Sequence, residues 1–147
     1  MSARLADVSL RGTAAVCALL SAGAHLLIAP EHLKEVAYIG VLFTVGGGTL
    51  LFTALGLAWR NPVPAWLLGV VVSGGMLLGF ALSRTVGLPG YQEDGWDPPY
   101  GILCMVAEVV FIGAFIAWGC LYRLVRRRED TYVDRFGHPP PASVHVR

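Results

Sequence analysis

Residues 23–35 read GAHLLIAPEHLKE, an apolar run that takes on His25, Glu31, His32 and Glu35 within a few positions. Later, Arg84 closes another apolar run, and Cys104 and Glu108 stand one helical turn apart inside a further one. An ionisable side chain within a membrane span costs at least ~2.5 kcal/mol, so such groups face the interior, pair with one another and mark sites. Two imidazoles with one or two carboxylates suit zinc, iron or copper. On that chemistry the metal or ligand candidates are His25, His32, Glu35 and Glu108, with Glu31, Arg84 and Cys104 in support. The spacing matches no strict metal motif, so two other readings stand beside it. In one, His25 and Glu108 carry protons or hold a small ligand, and Arg84 attracts an anionic group. In the other, Arg84–Glu108 and His25–Glu35 are interhelical pairs that fix a bundle.

The elements that must position these groups are membrane helices. The chain has 147 residues, 55% hydrophobic and 14% charged, with mean hydropathy +0.61. A soluble domain is nearer 45–50% apolar and about 25% charged, so the excess belongs in lipid. Four nearly uncharged stretches, residues 12–29, 36–59, 61–83 and 101–122, are each close to the ~20 residues that cross a bilayer. They leave no room for a separate soluble domain. They are also too long and continuous for the alternating ten-residue strands of a barrel. The sequence predicts an all-α, up-down-up-down membrane four-helix bundle. Pro30 followed by Glu31 reads as a helix start, so the turn between the first two spans is expected at Ala29-Pro30. That turn would set His25 and Glu35 at similar depth on neighbouring antiparallel helices.

Arginines flank the N-terminus (Arg4, Arg11), the second connection (Arg60) and the C-terminal tail (Arg123, Arg126, Arg127, Arg128), which predicts both termini in the cytoplasm. Trp59, Trp66, Trp118 and Tyr122 are expected at the inner membrane boundary, and Tyr38, Trp96 and Tyr100 at the outer one. The polar candidates then all fall in the outer half. An alternative makes the first span a signal cleaved near Ala22-Gly23-Ala24. Residues 1–11 read as a cytoplasmic N-terminus, and residues 123–147 as a basic, proline-containing, disordered tail. Cys17, Cys104 and Cys120 form no disulfide framework, and Cys17 and Cys120 read as small packing residues. The connection TVGLPGYQEDGWDPPYG is long enough to cover the outer end of the bundle. Gly46-Gly47-Gly48, Gly69, Gly75 and Gly79 are read as helix-packing positions, with space for a ligand as the rival at the triple glycine.

His25…Pro30-Glu31-His32…Glu35, followed by Ser83-Arg84-Thr85-Val86-Gly87-Leu88-Pro89 and Glu108, resembles small, uncharacterised four-span membrane proteins of high-GC bacteria. The resemblance covers roughly residues 14–118 and implies a bundle of this type without an activity. The chain carries no P-loop, nucleophile elbow, dinucleotide fingerprint or Cys-x-x-Cys. The sequence therefore describes a multi-pass protein of the plasma membrane that binds a metal ion or small ligand. Its rivals are an accessory subunit of a larger membrane complex or a homo-oligomer, and third, an enzyme on a lipid- or quinone-like substrate. The lipid bilayer is its expected partner, and nucleic acid is not.

Overall fold

The computed structural model describes residues 3–96 and 99–136, with the backbone alone at 129, 130 and 133–136. Its helices are α1 (Ala3–Glu35), α2 (Ala37–Gly56), α3 (Val63–Thr85) and α4 (Tyr100–Phe136). All four are long and apolar enough to cross a membrane.

Alanine recurs at every fourth place on α1, and Ala14, Ala18 and Ala22 are all buried. Side chains this small let α1 lie close against two neighbours, α2 and α4. α3 closes the ring by touching α2 and α4. Each neighbouring pair is antiparallel. Leu33 meets Gly40 and Leu26 meets Gly47 between α1 and α2. Ala65 meets Gly56 and Gly69 meets Thr53 between α2 and α3. Trp66 packs on Phe111 and Trp118 between α3 and α4, and Ser21 bonds Glu108 between α1 and α4. The predicted up-down-up-down helical bundle is therefore the observed fold.

Two boundaries differ from the sequence reading. The first turn is not at Ala29-Pro30. α1 continues through Pro30 to Glu35, and the chain reverses on Val36 alone, whose backbone is extended at φ −140, ψ 92. Pro30 sits at an exposed position, where it costs α1 the bond its missing N–H would have made to Leu26. The reversal is instead made possible by Gly40. A Cβ there would lie 2.5 Å from the Leu33 backbone nitrogen, so only glycine lets the start of α2 pass so close. At the other end, α4 runs helical to Phe136, past the expected boundary at Tyr122. Its arginines are good helix formers, and Arg126 stacks over Tyr122 four residues back, 5.6 Å from the ring centroid. Asp97 and the stretch 137–147 lie outside the described residues.

The bundle is filled unevenly. Leu50, Leu57, Trp66 and Phe111 pack the half that carries the start of α1 and the α2–α3 turn, here the terminal end. Trp66 is fully buried there among Phe111, Phe115 and Trp118, so it is a core residue and not the interfacial anchor its position suggested. Arg11 ties this end together. Its Nε donates to Leu57 O at 2.7 Å and its Nη2 to Trp59 O at 2.6 Å, a cation on the carbonyls of the turn that follows α2. Trp118 Nε1 donates to Asp7 at 2.8 Å beside it. The opposite half, beneath the connection that joins α3 to α4, is rich in glycine and is not filled. It is here the lid end.

Candidate functional site

A cavity of about 360 Å³ occupies the lid half, with walls from all four helices and the long connection. Its floor is built on the α1–α4 contact. Ser21, His25, Cys104 and Glu108 are all buried there, with His25 at 6% and Glu108 at 2% exposure. Ser21 and His25 are one turn apart on α1, as are Cys104 and Glu108 on α4, so each helix presents its pair on one face. Ser21 Oγ donates to Glu108 Oε1 at 2.9 Å. His25 Nδ1 lies 2.8 Å from Ser21 O. A carbonyl only accepts, so Nδ1 carries a proton and Nε2 of the neutral ring is an acceptor. Cys104 Sγ touches the same Nδ1 at 3.6 Å. Among the described residues, the hydrogen bonds of this floor use His25 Nδ1 and Glu108 Oε1, not His25 Nε2 or Glu108 Oε2, and the buried side-chain atom left without a partner is Trp66 Nε1, in the terminal end.

Above the floor a second polar group closes the mouth. His32 is two turns along α1 from His25, and Phe43 of α2 stands between them, its ring centroid 5.1 Å from His25 and 4.8 Å from His32. His32 Nδ1 donates to Ile28 O at 3.0 Å, and its Nε2 meets Tyr91 Oη at 3.1 Å. Tyr91 donates to Glu93, and Glu93 pairs with Arg84. The connection from Val86 onward is pinned over this end. Tyr38 Oη donates to Pro89 O at 2.8 Å, Glu93 N to Ser83 O at 3.1 Å, and Arg84 Nε to Gly95 O. Gly87 and Gly90 take positive φ (77 and 68) to make the tight return between Leu88 and Tyr91. The expectation that this connection covers one end of the bundle is met.

The side wall is different. Leu42, Val45, Val71 and Gly75 line the cavity yet are exposed on the outer surfaces of α2 and α3. The cavity therefore opens sideways between these two helices, toward the lipid-facing surface. The small residues divide accordingly. Gly40, Gly47 and Gly69 are packing positions, because a Cβ at each would crowd a neighbouring helix. A Cβ at Gly75 or Gly79 would meet nothing within 4 Å, so these two leave space. Helix packing explains the first group and the cavity explains the second.

Of the sequence candidates, His25, Cys104 and Glu108 come together at the floor, and His32 and Arg84 at the mouth. Glu35 does not join them. With the turn moved to Val36 it lies on the same helix as His25, about 15 Å away at ~1.5 Å per residue, and it is exposed, as is Glu31. The pairs His25–Glu35 and Arg84–Glu108 do not form. Ser21 and Glu93 take those partners. Among the described residues, no group of three or more His, Cys, Asp or Glu side chains could hold a metal ion, so the four-residue ligand set is not assembled. Tyr91, Glu93 and Phe43 are site residues that spacing along the chain did not single out. The signal for the first two was the length of the connection they sit on. Cys17 is half-buried and Cys120 exposed, so Cys120 is not a packing residue. Comparison with protein-family models, curated proteins and solved structures finds no match to this chain, so its function is read from the site itself.

Proposed function

We propose that this is an integral membrane protein that binds one small, lipid-soluble molecule between its four helices, the polar end of the molecule resting on His25 and Glu108. The observation that carries the reading is the pairing of an apolar cavity of about 360 Å³ with two buried polar groups on its wall that keep unused hydrogen-bonding atoms. Ligand cavities fall at about 300–1,000 Å³ and combine apolar walls with a few placed polar groups. On this reading both termini lie in the cytoplasm and the cavity in the outer leaflet half of the plasma membrane, supported by the arginines at the terminal end.

The test compares the detergent-purified wild type with Gly79→Phe, which adds a ring at a cavity-lining position where a Cβ meets nothing within 4 Å. Solvent extracts of each are analysed by mass spectrometry, and metal content is measured on the same samples. A near-stoichiometric organic molecule in the wild type, lost in Gly79→Phe, is the expected result. Stoichiometric metal with no organic molecule would reject the reading and return the site to the metal chemistry of its histidines.

A further inference from the structure

Resting on the reading of the cavity as a ligand site, we infer that the ligand is a neutral hydroxyl compound, an alcohol or phenol on an apolar body, which enters from the bilayer between α2 and α3 and donates its hydroxyl to His25 Nε2.

Two strong donors at the floor are already used. His25 Nδ1–H is held by Ser21 O at 2.8 Å, and the Ser21 hydroxyl is held by Glu108 Oε1 at 2.9 Å. His25 and Glu108 both line the cavity, and the ring atom their bonds leave over is His25 Nε2, which accepts in the neutral ring. A ligand that brings only acceptors, such as an ether, a ketone or an ester, leaves Nε2 unpaired. A ligand that brings a donor satisfies it. The route in selects among donors. The aqueous end is closed by the connected side chains His32, Tyr91, Glu93 and Arg84, whereas the side opening is walled by Leu42, Val45 and Val71. A charged amine crossing that apolar opening would lose its hydration without a partner, at a cost of several kcal/mol. A hydroxyl crosses at far lower cost. Phe43, edge-on to His25, offers a flat apolar surface beside the acceptor.

The experiment uses two probes of nearly equal size and apolarity, 4-octylphenol and its methyl ether 4-octylanisole, which differ by the donor. Binding to the full chain in detergent is measured by native mass spectrometry, for wild type, His25→Phe and Gly79→Phe. His25→Phe keeps a ring of similar shape and removes the acceptor. In the wild type the phenol is expected to bind about tenfold more tightly than the ether, the ~1.4 kcal/mol of one net hydrogen bond. In His25→Phe the two should bind equally, and in Gly79→Phe neither should bind. Equal binding of the two probes to wild type would overturn the hydroxyl assignment while leaving the cavity as a ligand site. A phenol preference that persists in His25→Phe would overturn His25 as the acceptor. Binding of both probes undiminished in Gly79→Phe would overturn the cavity reading itself. Should His25→Phe fail to fold, the wild-type comparison of the two probes still decides the hydroxyl assignment.

Discussion

Ser21 is the residue on which the polar floor turns. Its hydroxyl is the one protein donor on the Glu108 carboxyl among the described residues, and its carbonyl fixes the His25 tautomer. Removing the hydroxyl leaves Glu108 Oε1 buried without a partner. Interhelical hydrogen bonds in membranes average only ~0.6 kcal/mol, but a stranded buried acceptor costs about 1–3 kcal/mol. Ser21→Ala should therefore destabilise the bundle by roughly 1–2 kcal/mol, read from unfolding in detergent. Glu108→Gln keeps a carbonyl oxygen for Ser21 to donate to, and it should lose less stability than Ser21→Ala. Equal losses in both variants would mean that the charge of Glu108, and not its bond to Ser21, is what the floor requires.

At the scale of elements, two glycines on one helix have opposite roles. Gly40 is needed because the start of α2 passes the Leu33 backbone too closely for any side chain. Gly48 meets nothing, so it carries only the conformational cost of glycine in a helix. Gly40→Ala should lower stability by more than about 2 kcal/mol or open the first turn, since the obstacle is backbone and cannot swing away. Gly48→Ala should be neutral or stabilising by up to about 1 kcal/mol, the propensity difference between the two residues. Thermal unfolding of the two variants side by side checks both. A neutral Gly40→Ala would move the turn back toward Pro30, and with it His32 and Glu35 onto α2.

At the scale of the whole molecule, four antiparallel helices put the start of α1 and the end of α4 at one end of the bundle, and the proposal that this end faces the cytoplasm rests on its arginines. A fluorescent reporter that folds only in the cytoplasm should give signal when fused to either end. A periplasmic phosphatase should be active only when inserted in the Val86–Trp96 connection. The reverse pattern would place the lid end inside and the cavity in the inner leaflet half. The uneven filling of the bundle also has a consequence at this scale. Large side chains make the terminal end a packed core, so the lid end can remain open without loss of the fold.

The sequence by itself determined the class of fold and the number of spans, because hydropathy and run length follow directly from the ~30 Å of hydrocarbon a helix must cross. It also marked His25, Cys104 and Glu108, since polar groups in apolar runs need no neighbour to be conspicuous. Three matters only the tertiary structure decided. The first turn lies at Val36, because the close approach of Gly40 to Leu33 is a contact between helices and leaves no periodic trace in either. Glu35 thereby left the site, and Glu93, from a connection with no periodicity, took the partner of Arg84. Finally, Gly47 and Gly79 are the same residue in similar runs, yet one admits a neighbouring helix and the other borders empty space. Which of these a glycine does depends on what stands opposite it, and that is set by packing.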